Sequence, residues 1–214
     1  MEGEGSKLLI NQSIIVNPLI MARPREFDRE LALERATRVF WAKGYASTST
    51  EDLLVAMRIG RQSLYNAFGD KRALYLEALE RYQRGTTSGH LQRLKGPSSP
   101  LAGIEALLLG LIAEDDGQRA MGCMGVGAAS EFGTGDPALV ELRAKVVPVL
   151  FSSLVERLHE GQARGEIDLA MNVEDAASFI QMTMTGLQLA ARSGAGVDAL
   201  HALAHFAVDR LKID

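Results

Sequence analysis

Along most of the chain apolar residues recur at spacings of three and four, and no apolar/polar alternation lasts more than a few residues. Leu33, Ala36 and Phe40 form one such stripe, with Val39 beside it. Asp28 precedes the stripe as an N-cap, and Lys43-Gly44 follows as a stop with a left-handed C-cap. Ser47-Thr48-Ser49-Thr50 offers several caps, and Glu51 follows Thr48 at capping-box spacing. Leu53, Leu54 and Met57 mark a second short helix, which Gly60 breaks. Gln62 to Phe68 resumes as a third. Gly69-Asp70 ends that one and caps a fourth, from Lys71 to Leu94 on the pattern Leu74, Ala78, Tyr82. Gly96-Pro97-Ser98-Ser99-Pro100 is the strongest linker signal. Further helices are predicted near 101–114, 117–132, 136–164, 173–193 and 197–212. Pro137 sits where a first-turn proline is tolerated, whereas Pro148 is expected to kink or interrupt its helix. The fold class is all-α.

Composition narrows the function classes. The 214 residues are 47% hydrophobic, enough to bury a sizeable core and too many for a disordered chain. No apolar run is long enough for a transmembrane helix, so no membrane partner is expected. The segment Leu8 to Ile20 is broken by Asn11, Gln12, Asn17 and Pro18 and lacks a cleavage site, which argues against a secretory leader. Residues 1–20 read as an extension with little structure, with Met21 as the functional start. The single cysteine, Cys123, excludes an intramolecular disulfide and fits a reducing cytoplasm. No metal site or cofactor is expected: His201 and His205 are four apart, but no carboxylate or cysteine nearby completes a set. Residues 21–95 carry 14 basic and 9 acidic side chains, whereas residues 96–214 carry 8 and 16. A basic third joined to an acidic remainder suggests that one part faces a polyanion.

Three short helices within about 40 residues, the last two joined by a tight glycine-containing turn, form the pattern of a helix-turn-helix. On the third helix Leu64 and Phe68 point inward, four apart. Arg61, Gln62, Ser63, Tyr65 and Asn66 are polar groups able to reach base edges or phosphates. A helix so short and polar buries little alone and is best explained by a partner that supplies the remaining contacts.

The stretches Ala36-x-x-Val39-Phe40-x-x-Lys43-Gly44-Tyr45, Thr48-x-Thr50-x-x-x-Leu54 and Ile59-Gly60-Arg61-Gln62-Ser63-Leu64-Tyr65-Asn66-Ala67-Phe68-Gly69-Asp70-Lys71-x-x-Leu74 make the motif specific. Residues 28–75 resemble the DNA-binding domain of the tetracycline-repressor (TetR) family of bacterial transcriptional regulators. The resemblance implies a helix-turn-helix domain over 21–75 and a helical effector-binding and dimerisation domain over 76–214, with the fourth helix connecting them. It implies that Tyr65 and Asn66 touch DNA, that Arg61, Gln62 and Ser63 set the operator sequence, and that Lys71 meets a phosphate. It implies phosphate contacts at Thr48 and Thr50, and a basic arm at Arg23 and Arg25. Gln62 stands where glycine is frequent and is suited to read adenine. Ala67 stands where an aromatic ring is frequent, so the backbone contact of such a ring is in doubt here.

The acidic remainder suggests a homodimer. Phe179, Leu187 and Ala190 on one long helix, and Leu200, Leu203, Phe206 and Leu211 on the next, are expected to pair with their two-fold copies as a four-helix bundle. The alternative is that both helices belong to the intramolecular core. A pocket for a small, partly apolar effector is expected among Met121, Met124, Phe132, Phe151, Leu154, Met182 and Gln188, because methionines make adaptable walls. The leading reading is a regulator, usually a repressor, that binds a palindromic operator and is released by its effector. A regulator sensing redox state or electrophiles through Cys123 is one alternative, and a DNA-independent helical adaptor is another. An enzyme is disfavoured: the sequence shows no Ser-His-Asp arrangement, phosphate loop or paired-carboxylate cleft.

Overall fold

The computed structural model describes residues 27–213. The expectations for residues 1–20 and for the arm residues Arg23 and Arg25 lie outside them. Ten helices and no strand occur among the described residues: α1 (Arg29–Lys43), α2 (Thr50–Met57), α3 (Arg61–Phe68), α4 (Lys71–Lys95), α5 (Pro100–Leu109), α6 (Asp116–Met121), α7 (Met124–Phe132), α8 (Pro137–Ala163), α9 (Val173–Arg192) and α10 (Val197–Asp209).

Local chemistry sets the helix ends. Asp28 accepts a hydrogen bond from Leu31 N at the start of α1. The capping box at α2 lies one residue later than the sequence spacing suggested: Ser49 and Asp52 cap each other's backbone, not Thr48 and Glu51. Gly44 ends α1 at φ 79° and ψ 176°. That is outside the left-handed helical well, in a region essentially reserved for glycine.

Two expectations on the middle of the chain are corrected. The predicted helix 117–132 is two helices, because Gly122 turns the chain at φ 59° and ψ −140° and its carbonyl accepts from Trp41 Nε1 at 2.9 Å. Of the two outcomes expected at Pro148, interruption does not occur: α8 runs through it. The carbonyl that loses its partner belongs to Ala144, an exposed residue, where the cost of the missing bond is small.

The apolar faces pack into two cores. Leu33, Phe40, Leu53, Met57, Leu64, Phe68, Leu74 and Tyr75 join α1–α3 to the first half of α4, with Met124, Ala128 and Leu139 closing the group from α7 and α8. Leu94, Ile104, Leu107, Leu154, Leu158, Ile180 and Leu200 represent the second core, built from the end of α4 with α5 and α8–α10. α4 spans about 38 Å at the usual helical rise and enters both cores, which makes it the shared strut.

Candidate nucleic-acid interface and cavity

α3 is anchored from beneath. Leu64 is fully buried and Phe68 nearly so. Arg29 of α1 lies 4.4 Å above the Phe68 ring, donates to both Glu77 carboxylate oxygens at 2.6 and 2.7 Å, and donates to Ala67 O at 3.2 Å. One planar guanidinium thus ties α1, the end of α3 and α4 together, a geometry that lysine cannot reproduce. The turn into α3 passes through Arg58 at φ 58°. At the other end Gly60 provides no side-chain cap, so the first N–H groups of α3 remain available.

The outer face is polar. Arg61, Gln62 and Asn66 are exposed, Tyr65 is 42% exposed, and Ser63 is half-buried. Gln62 Nε2 donates to Asn66 Oδ1 at 2.9 Å, which holds the two amides side by side. Arg61 stands 4.0 Å from Glu51, too loose a pair to hold it away from a polyanion. Thr50 opens α2 at the same surface. Lys71 opens α4 with its ammonium 4.2 Å over the Tyr45 ring. Nearby, Lys43 and Ser49 hold the Asp52 carboxyl well below the usual carboxylate range, so this carboxylate stays ionised and occupied. Thr48 corrects the expected set: it is buried, and its hydroxyl donates to Gly44 O at 2.6 Å. Its hydroxyl is committed to that turn and not offered to phosphate.

The helix-turn-helix is fastened to the rest of the chain at the α1–α2 turn. Glu131, near the end of α7, accepts from Tyr45 N at 2.9 Å and Ala46 N at 2.6 Å. A Cβ on Gly44 would stand 3.2 Å from the same carboxylate, so a larger residue would press on this contact by a few tenths of an ångström as well as strain the backbone at φ 79°. Phe40, Tyr45, Tyr75 and Phe132 stack around this joint with centroids 5.0 to 6.4 Å apart. Arg192 of α9 donates to Met121 O at 2.9 Å.

A cavity of about 490 Å³ lies between α4, α7, α8 and α9. Of the seven expected pocket residues, only Gln188 lines it. Leu154 is fully buried in the second core, and Met124 is buried in the first. Phe132 belongs to the aromatic joint, Phe151 packs against the second core, and Met121 does not line the cavity. Met182 points outward, 75% exposed. The actual lining includes Tyr82, Gln83, Thr86 and His90 of α4, Arg143 and Val147 of α8, and Gln181, Met184 and Thr185 of α9. Tyr82, Thr86 and His90 continue the i, i+4 stripe of Leu74 and Ala78. That polar continuation of an apolar stripe was the signal that marked the cavity wall. Burial raises the Tyr82 hydroxyl pKa, and the adjacent Cys123 thiol adds to that shift. Burial and Arg93 push His90 down to about 4.

The apolar stripe on α9 and α10 is also corrected. Leu187, Leu200 and Leu211 face the protein's own core. Phe179 (40%), Leu203 (54%) and Phe206 (60%) are exposed, and Met182 shares their side of the pair. Gly186, which meets no neighbouring atom, lies one turn beyond Met182, whereas Ala190, expected at the interface, is half-buried and packs against the second core. His205 pairs with Glu105 at 3.0 Å, and no metal-binding cluster occurs among the described residues.

A three-helix head whose last short helix is anchored inside and polar outside defines a helix-turn-helix DNA-binding protein. Residues 32–78 match the family model described as bacterial regulatory proteins, tetR family. The chain is 32% identical over 185 residues to the uncharacterized HTH-type transcriptional regulator YezE of Bacillus subtilis (strain 168), covering 84% of this chain and 94% of that one. It is 28% identical to the HTH-type transcriptional repressor ComR of Escherichia coli (strain K12), covering 85% and 88%. Among solved structures it resembles a cysteine mutant of the TetR family regulator CifR, complexed with 26-bp double-strand operator DNA. That likeness has TM-score 0.72 and 31% identity and covers 87% and 98% of the two chains. The chain belongs to the TetR family and is a DNA-binding transcriptional regulator.

Proposed function

We propose that this regulator binds a palindromic operator as a homodimer, represses from it, and lets go when a small molecule occupies the α4/α7/α8/α9 cavity. The observation that carries the reading is the two-sided α3: Leu64 and Phe68 fix it, while Arg61, Gln62, Tyr65 and Asn66 are exposed on its outer face. Gln62 and Asn66, already paired, are suited to bidentate contacts with adenine edges, and Arg61 to guanine or phosphate. Thr50 and Lys71 flank α3 and supply phosphate contacts that set its register. The cytoplasm is the compartment where such a protein meets DNA.

Dimerisation through α9 and α10 is supported by Phe179, Met182, Leu203 and Phe206, an exposed apolar set on two adjacent helices. Pairing with a two-fold copy buries it as a four-helix bundle and presents two α3 helices to successive half-sites. Selection of duplexes from a random pool tests both parts together: an inverted repeat with half-sites about one helical turn apart is expected, and a single unrepeated site would refute the dimer.

Release follows from geometry that joins the cavity to the head. α7 forms one cavity wall through Gly125, Val126 and Ala129, and Glu131 on the same helix holds the α1–α2 turn. A ligand that moves α7 or α4 therefore changes the position of the head, and ligand and DNA oppose one another by linkage. Cys123 supports a second reading, because its thiol lines the same cavity beside the Tyr82 hydroxyl. If an electrophile is the signal, intact-mass spectrometry shows one adduct at Cys123 and operator affinity falls with it. Adduct formation without loss of affinity would reject that reading.

A further inference from the structure

The cavity has a chemistry of its own, and the following inference deepens the reading of it as the effector site. Its polar and apolar parts are segregated. Leu111, Val126, Val146, Leu150 and Met184 supply an apolar wall. No carboxylate lines it among the described residues, and its one charged side chain is Arg143. The nearest acidic neighbour on α8, Glu141, is committed to Lys145 at 2.7 Å, and no described residue pairs with the Arg143 guanidinium. Gln83 faces the same recess as Arg143. Its Oε1 is buried and accepts no hydrogen bond, and His90 Nδ1, two turns further along α4, is likewise buried and unpartnered. Unpaired buried polar atoms cost stability, and such atoms in a cavity wall mark places where a ligand completes the bonding.

These features select a ligand. A cation would meet Arg143, with Arg93 behind His90, and no compensating carboxylate. A hydrocarbon would leave Gln83 Oε1 unsatisfied and Arg143 facing an apolar surface. A carboxylate satisfies Arg143, a neighbouring hydroxyl donates to Gln83 Oε1, and an apolar body lies against the Leu111, Val126, Val146, Leu150 and Met184 wall, in a cavity that follows α4 for about 10 Å at the helical rise. We infer that the cavity takes an organic hydroxy-carboxylate with a compact apolar body about two fused rings in size. Arg143 receives the carboxylate and Gln83 receives the hydroxyl.

The test is isothermal titration of the full chain with meta-hydroxynaphthoate, whose hydroxyl is too far from its own carboxylate to bond it internally, beside naphthoate, meta-hydroxynaphthamide and the corresponding naphthylmethylamine. The hydroxy acid is expected to bind at least about tenfold more tightly than its amide, as a charge-assisted bond requires, and the amine is expected not to bind. Arg143→Gln should bring the acid to the level of the amide while leaving the amide unchanged. Gln83→Leu should remove the advantage of hydroxynaphthoate over naphthoate. Melting temperatures close to that of the parent chain establish that both variants fold. Equal affinity for acid, amide and amine, an acid preference that survives Arg143→Gln, or no binding by any of the four would overturn the inference. Operator titration in the presence of the acid separates the two levels. Binding through Arg143 that leaves operator affinity unchanged would sustain the ligand class and reject release by occupancy of this cavity.

Discussion

Removing the Glu131 carboxylate tests how the head is held. In the native chain this side chain accepts two backbone N–H groups, from Tyr45 at 2.9 Å and Ala46 at 2.6 Å. Hydrogen bonds to charged groups contribute roughly 1.5–3 kcal/mol each when well shielded. Glu131 is exposed, and water replaces part of what is lost, so Glu131→Ala should cost about 1–2 kcal/mol in total. For a chain of this size that corresponds to a fall in Tm of about 2–8 °C. Glu131→Gln keeps one acceptor oxygen without the charge and should fall between. The assay is thermal unfolding by circular dichroism, followed by operator titration of the folded variants. The Ala variant should also respond less to cavity ligands, because the connection from α7 to the α1–α2 turn is weakened. A Tm within about 1 °C of the parent for both variants would refute the reasoning.

Other expectations follow from the same geometry. Tyr65→Ala and Arg61→Ala should lower operator affinity with little change in Tm, since both side chains are exposed; gel-shift titration and melting curves together check this. Lys71→Gln should weaken binding to all sequences alike and reduce the salt slope by about one. Met182→Glu or Phe206→Glu should convert the proposed dimer to monomer by sedimentation, and a dimer unaffected by both would exclude the α9/α10 face. His90 is neutral in the folded chain with its pKa near 4, below the roughly 6.5 of the unfolded chain. The unfolded state therefore binds more protons between these values. The contribution to stability is complete above about pH 6.5 and is lost as pH falls toward 4. His90→Leu should flatten that part of the pH–stability curve, and an unchanged curve would contradict the assignment.

Helix periodicity and caps made most of the fold legible. Leu64 and Phe68, four apart in a short polar helix, mark the recognition element and its inner face in the sequence itself, and both lie in the core. What was not legible depended on direction. Leu187, Leu200 and Leu211 share the apolar periodicity of Phe179, Leu203 and Phe206, but a helix with apolar residues on two faces does not reveal which face meets its own core. Met182 and Leu154 were equally plausible pocket residues by type, and packing sends one outward and buries the other. The cavity's polar residues escaped because its walls come from four helices distant in sequence. Glu131 escaped for a similar reason: its role rests on two backbone N–H groups 85 or more residues away. Thr48 departs from the expected role because its neighbour Ser49 takes the capping position, leaving the Thr48 hydroxyl to close the turn at Gly44.

The central claim is sequence-selective DNA binding through α3. The most direct measurement is fluorescence anisotropy of the purified protein on DNA from upstream of its own gene, beside scrambled DNA of equal length, across a salt series. The account predicts tight selective binding to the upstream DNA. Log affinity should fall steeply and linearly with log salt, and selectivity should be lost in Tyr65→Ala. No binding to either DNA at low salt by a well-folded protein would contradict it.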